Sequence, residues 1–466
     1  MRGILFVIAI GLLLSSACSK DTFITGPEAL LSTSDDTLHF DTVFTTTGSI
    51  TQFFRLYNRN DQKLRISSVK LQGGLSSYFK MNVDGISGTE ITNLEIEAKD
   101  SAYVFVTVKI DPNAADLPFV VQDSIQIKYN GLVKWVQLDA WGQNARFYRS
   151  QLITSNETWD NELPYVIVGG VAVAPNVTLT LLPGTKVYLH ADAPFLIDGT
   201  LKAIGGVEDS NRILFRGDRL DEPFRDFPAG WPGIYFGETS RQNELEYVSL
   251  LNAYQGLVVQ KPSVDGQPKL TVRACHIDNC YDAGLIGLQS EVVAENCLFS
   301  NCGKGIILAL GGRYQFTHCT GVAYSNPYFD HKDPVVQVYD FLKTSNTVLI
   351  SPLTAQFTNC LFWGENGIVE NEVVTGKQGN DYLVTFTNCL WKAKVNPANS
   401  TLQNILVNQT PAFDSINIQE RYFNFRLRAG SPALNKGIPT ALERDLDGLP
   451  RSVELPDLGC YERQLP

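Results

Sequence analysis

Cys275-His276-Ile277-Asp278-Asn279-Cys280 and Cys297-Leu298-Phe299-Ser300-Asn301-Cys302 stand 22 residues apart, and their common register decides the fold. Both read Cys-x-apolar-x-Asn-Cys. Cys319 adds a further step of 22. Val248-x-Leu250-x-Asn252-Ala253 is a copy without cysteine, and Gly256-Leu257, Gly284-Leu285 and Gly305-Ile306 follow the three copies at similar distances. A period of 20–50 residues marks stacked supersecondary units, each burying its apolar face only against its neighbours.

A second signature overlaps the first. Phe316-Thr317-His318-Cys319, Phe357-Thr358-Asn359-Cys360-Leu361-Phe362 and Phe386-Thr387-Asn388-Cys389-Leu390-Trp391 share one form, and Ala294-Glu295-Asn296-Cys297-Leu298-Phe299 is close to it. Cysteine and the aromatic two places on lie on one strand face. The Phe three places before the cysteine has the wrong parity for that face. A left-handed bend at the intervening Asn repairs it, because Asn tolerates that conformation better than other non-glycine residues. Strand, Asn bend, strand, repeated every 22 residues or so, resembles one coil of the right-handed parallel β-helix family over residues 147–420. Steps of 41 residues to Cys360 and 29 to Cys389 predict coils with loop insertions. Upstream, Val177–Leu182, Phe195–Ile197, Ile213–Phe215 and Trp231–Phe236 are short apolar runs between glycine turns. Stacked coils set equivalent residues about 4.8 Å apart with parallel Cβ vectors. That is poor geometry for a disulfide, so most of the eight cysteines between 275 and 460 read as a buried free-thiol ladder. Disulfides are the alternative that an even count raises.

Residues 33–146 carry a different pattern. Runs such as Gln52–Asn58, Ala102–Val108 and Val133–Leu138 alternate with period two and are rich in Val, Ile, Phe and Tyr. About seven such runs predict an Ig-like β-sandwich. Asp41-Thr42-Val43-Phe44, Leu56-Tyr57-Asn58-Arg59-Asn60 and Asp111-Pro112 are similar to features of bacterial Ig-like modules, which implies a spacer, with a binding module as the alternative. The expected fold is therefore all-β: a sandwich, then a parallel β-helix, then a C-terminal capping segment at 421–466 that covers the last coil.

The N-terminus sets the compartment. Met1-Arg2, the apolar run Ile4–Leu14 and Ser15-Ser16-Ala17 describe a signal peptide over residues 1–17. Cys18 follows directly. The arrangement resembles a lipobox, although Leu14 sits one place early and Ser15 holds position −3. The resemblance implies lipidation at Cys18, a tether over 18–32 and the lipid as membrane anchor. Asp21 behind it is a thin version of the surface-export signal of Bacteroidetes lipoproteins. The expectation is an outer-membrane lipoprotein of that group, exposed at the surface. A net charge of −11 argues against nucleic acid as a partner.

Candidate chemistry is sparse. None of the motif sets of β-helix polygalacturonases appears, and no catalytic residue is assigned. A glycosidase would need two carboxylates at a defined separation. The densest charge lies in Asp218-Arg219, Asp221-Glu222 and Arg225-Asp226 before Trp231, read as a candidate binding loop that juts from one coil; a solvated loop with internal ion pairs is the alternative. Asp445 and Asp447 form a turn with weak calcium potential, and calcium is the one cofactor the sequence admits. A full EF-hand would need Glu where Pro456 stands. His276 and His318 are isolated. These features point to a non-enzymatic binding or scaffold protein for a glycan or an outer-membrane β-barrel complex, with a polysaccharide lyase or glycoside hydrolase as the alternative.

Overall fold

The computed structural model describes residues 22–44, 50–110, 119–222 and 224–464. Cys18 and the signal-peptide stretch lie outside the described residues. The chain divides into two compact units, meeting in sequence between Asn144 and Ala145.

The first unit is a pair of β-sheets sharing one core. One sheet contains Lys63–Leu71, Phe119–Tyr129, Leu132–Gln143 and Thr37–Phe44; the other contains Gln52–Asn58, Ser101–Val108 and Phe79–Val83. Ser101–Val108 alternates strictly, with Ala102, Val104, Val106 and Val108 buried, as period two requires of a strand with one face on a core. Phe54, Leu56, Ile125 and Ile127 meet them in a single cluster. The tether expected over 18–32 is shorter than that. Phe23–Ile24 pairs with Lys63 and Leu64, and Leu31–Thr33 pairs with Leu56–Asn58. Apolar Leu31 and Ala29 are buried in this core, so the chain is already folded there.

The second unit is a parallel β-helix, a 26-stranded sheet wound so that nearly every strand pairs with strands one coil before and after. Three ladders result. The first stacks Lys186–Leu189, Ile213–Gly217, Val248–Leu251, His276–Asp278, Leu298–Ser300, Thr320–Tyr324 and Leu361–Glu365. The second stacks Phe195–Ile197, Ile234–Phe236 and Gln255–Gln260, then the start of Ala283–Glu295 and of Lys304–Thr317. The third stacks Thr200–Ile204, Asn243–Glu246 and Leu270–Arg273, then Leu353–Thr358 and Tyr382–Thr387.

The third ladder turns into the first through a single left-handed residue: Asn296 (φ 53°), His318 (52°), Asn359 (56°) and Asn388 (51°). The first turns into the second through Asn252 (63°), Asn279 (55°) and Asn301 (49°). The residue after each bend points inward. Cys275, Cys297, Cys319, Cys360 and Cys389 therefore form one buried column, and Cys280 and Cys302 another, all in the central core with Phe316, Phe357 and Phe386. Those three rings stack at 4.9 and 4.7 Å. All eight cysteines are free and buried. Burial pushes the thiols of Cys275, Cys280, Cys297, Cys319 and Cys360 well above their usual range, so they are packing groups rather than nucleophiles.

The C-terminal segment departs from expectation in place and extent. The last ladder strands are Thr401–Gln403 and Leu406–Val407. The hairpin Phe413–Asn417 with Tyr422–Leu427 already belongs to the segment, so a boundary at 420/421 would cut it in two. The segment runs along the flank of the coil rather than over its end. Phe413, Phe425, Leu427, Leu446, Leu458 and Cys460 cover the outward residues Leu298, Val322, Leu361 and Leu390 of the first ladder. The physical reason is that this ladder is apolar on both faces and needs cover outside as well as in. Leu402, Ile405 and Val407 of the final coil stay partly exposed.

Bend asparagines hold the segment in place. Asn388 Nδ2 donates to Lys436 O (2.5 Å), Asn359 Nδ2 to Ile438 O (2.8 Å) and Asn296 Nδ2 to Arg444 O (2.7 Å). The Arg451 guanidinium, almost fully buried, returns to Asn296 Oδ1 (2.8 Å) and Glu462 (3.2 Å).

Candidate functional site

Insertions gather at the corner between the first and second ladders. Loop 218–233 follows Ile213–Gly217, and loop 325–335 follows Thr320–Tyr324. The candidate binding loop lies folded back over the corner rather than jutting from it. Asn252 Nδ2 donates to Arg225 O (2.6 Å) and Asn279 Nδ2 to Asp226 O (2.8 Å), so the side chains of two successive bends tie the loop across two coils.

Its charges are paired internally. Arg219 forks onto both oxygens of Asp221 (2.7 and 2.8 Å) and lies 4.2 Å over the Phe224 ring. Arg225 meets Glu222 at 2.7 Å and Asp226 at 3.6 Å, and Asp226 also takes Arg421 from the C-terminal hairpin at 3.4 Å. Asp218 accepts from His190 Nδ1 at 2.8 Å; burial raises its carboxyl above the usual range, opposed by that imidazole. Trp231 is fully buried, stacked on Phe215 with Nε1 donating to Leu251 O (2.9 Å). It is a core residue and leaves the binding set, because its indole fills the interior of its coil.

The carboxylates of Asp445 and Asp447 are engaged within the protein. Asp445 is buried and accepts from the backbone N–H of Asp447 (3.0 Å), Leu449 (2.8 Å) and Glu462 (2.9 Å). Asp447 is forked by Arg426 at 2.7 and 2.8 Å. Their oxygens hold the turn. Among the described residues no group of three or more His, Cys, Asp and Glu is arranged to hold a metal ion.

Folding also assembles groups that are far apart or unremarkable in sequence. His276 Nε2 lies 2.9 Å from Ser300 Oγ, whose hydroxyl donates to Asp278 Oδ1 at 2.6 Å. The serine proton therefore points at the carboxylate, and the imidazole must donate. A nucleophilic serine needs the reverse, with the imidazole accepting and the carboxylate on its far nitrogen. His331 and Glu372, both buried, pair at 2.9 Å and pin loop 325–335.

Exposed aromatic surface at this corner comes from Phe224 in the candidate loop, 42% exposed, and from two residues outside it. Tyr254 and Tyr281 stack at 5.6 Å with 21° between ring planes and remain 44% and 55% exposed. Their signal was in the repeat: each stands two places after a bend asparagine, in Asn252-Ala253-Tyr254 and Asn279-Cys280-Tyr281.

No family model and no curated protein matches the chain. Solved structures match over short stretches. A family 123 glycoside hydrolase from Clostridium perfringens aligns over 25% of this chain and 26% of its own at 13% identity (TM-score 0.18). A protein of unknown function from Porphyromonas gingivalis W83 aligns over 27% and 60% at 9% identity (0.19). The ASH/PapD-like domain of human CEP192 aligns over 28% and 94% at 11% identity (0.18). The chain thus spans about a quarter of the length of the first of these.

Proposed function

We propose that this protein is a non-enzymatic, lipid-anchored binding protein that holds a glycan on the flank of its β-helix. In this reading Cys18 carries the lipid, the membrane is the outer membrane, and the Ig-like sandwich is a spacer that lifts the β-helix off it. The observation that carries it is the corner just described. The acids and bases of its loop are paired with one another, with His190 and with Arg421, while the stacked rings of Tyr254 and Tyr281 face solvent. Binding surfaces of this kind sit on loops of rigid scaffolds. A partner of an outer-membrane β-barrel is the sister reading at the scaffold level.

The test has two arms. Membrane fractionation of the wild type and Cys18→Ala is expected to move the protein from the membrane to the soluble fraction; persistence on the membrane would refute the anchor. The lipid-free chain is expected to be retarded in gels containing soluble polysaccharide without cleaving it. A second reading, a polysaccharide lyase, is favoured by the His190–Asp218 pair beside Arg216, whose charged form burial disfavours. Release of unsaturated uronides, abolished by His190→Ala, would replace the first reading with that one.

A further inference from the structure

We propose that Tyr254 and Tyr281 form a sugar-stacking subsite that takes the apolar face of a pyranose ring. This rests on the glycan-binding reading above and names its place. The two rings sit on successive coils at the corner between the first and second ladders, stacked and exposed. The other aromatics of this corner have partners within it: Phe227 packs edge-on against Phe224 at 5.2 Å and Tyr328 at 4.9 Å, and Phe224, itself 42% exposed, carries the Arg219 guanidinium on its face. Among the described residues, neither phenol hydroxyl of the exposed pair has a hydrogen-bond partner within the protein.

In the next coil the place of Tyr281 is taken by Gly303, as Cys302 takes that of Cys280. Gly303 N donates to Cys280 O at 3.0 Å, which brings the backbones so close that a Cβ at Gly303 would lie 2.2 Å from Tyr281 O. Only glycine fits, and no side chain from that residue shields the ring. Polar groups rim the platform. Asp282 accepts from Gln255 Nε2 (2.7 Å) and Lys304 Nζ (3.0 Å). A pyranose offers the matching surface, with C–H groups on its face and hydroxyls around its edge that both donate and accept.

The experiment is affinity electrophoresis of the intact lipid-free chain through gels containing xylan, laminarin, pullulan, pectin or mannan. Wild type, Tyr254→Ala/Tyr281→Ala and Tyr254→Phe/Tyr281→Phe are compared, with circular dichroism as the folding check. We expect retardation in at least one gel, weakened on the order of tenfold per ring removed and kept by the phenylalanine pair. Wild-type retardation unchanged in the alanine pair overturns the subsite and leaves the glycan reading standing. No wild-type retardation in any gel overturns both. Should the alanine pair fail to fold, Tyr254→Ser and Tyr281→Ser singly give the same comparison.

Discussion

Replacing Asn359 by alanine removes three contacts at one bend. Its Nδ2 donates to Ile438 O (2.8 Å) and approaches His318 Nε2 (2.9 Å), and its Oδ1 accepts from Ile438 N (3.0 Å). Orphaning a buried backbone donor or acceptor costs about 1–3 kcal/mol each, and a left-handed φ costs alanine about 1–2 kcal/mol that asparagine largely avoids. The Ile438 residue is 39% exposed, so water reaches part of it and the lower ends apply. The sum is about 3 kcal/mol, or roughly a hundredfold in a local opening constant. Because the lost bonds reach the C-terminal segment, the loss should appear there first. Native-state hydrogen exchange is expected to show amides around 433–464 opening about a hundredfold more often in Asn359→Ala, with the ladder strands little changed. Asn359→Gly, free of the dihedral cost of about 1 kcal/mol, should lose about a fifth as much protection. Unchanged exchange in the segment, or equal loss throughout the coils, would refute the assignment of this asparagine as a tie between coil and segment.

Thiol titration of the folded chain lacking Cys18 should find no reactive cysteine, and denaturation should release all eight buried thiols; fewer than eight would mean disulfides and end the ladder. Burial, with Arg451 adding repulsion, holds the His318 imidazole well below its usual range, so the folded state stays neutral while the unfolded state gains a proton as pH falls through 6.5. Its stabilising contribution is therefore complete above that pH and is lost below it, by up to about 1.4 kcal/mol per pH unit. His318→Asn, which installs the residue of the neighbouring bends, should flatten that slope in denaturant titrations between pH 6.5 and 5, and an unaltered slope would rule His318 out. Calcium or a chelator should leave the melting temperature unchanged, since Arg426 and backbone N–H groups already occupy Asp445 and Asp447; a rise with calcium would restore the cation site.

The coil was readable because its constraints are local and repeated. A cysteine must face inward after a bend that only a few residue types tolerate, and that requirement recurs at 22-residue spacing, from Asn279 to Asn301 in one row of bends and from Asn296 to His318 in the other. The thiol column follows from the same parity. Trp231 was misplaced because an aromatic beside charges looks the same in sequence whether its ring points in or out; only the stacking partner Phe215 decides it. The path of the C-terminal segment was hidden for a different reason. Its partners Asn296, Asn359 and Asn388 were fully accounted for as bend residues, and nothing in a bend motif says what the side-chain amide does outside. Tyr254 and Tyr281 were legible by spacing, but the exposure of a ring depends on the neighbouring coil, where Gly303 has no side chain to cover it.

The two rows of bends do unequal work, and that inequality bears on function. At the corner between the third and first ladders, Asn296, Asn359 and Asn388 direct their amides to the C-terminal segment. At the corner between the first and second ladders, Asn252 and Asn279 direct theirs to loop 218–233. The same left-handed geometry that lets the chain turn also puts a donor outside the coil at a regular rise, so each corner can anchor one extended segment. The first corner is closed by the long C-terminal segment. At the second, the ties to loop 218–233 run from Asn252 to Asn279, while the next bend, Asn301, accepts from the N–H of Tyr324 at 3.4 Å through its Oδ1. Loop 325–335 continues that cover, its Tyr328 meeting Phe227 of the first loop at 4.9 Å, so this corner, where Tyr254 and Tyr281 stay exposed, is framed by two insertions rather than closed by one segment.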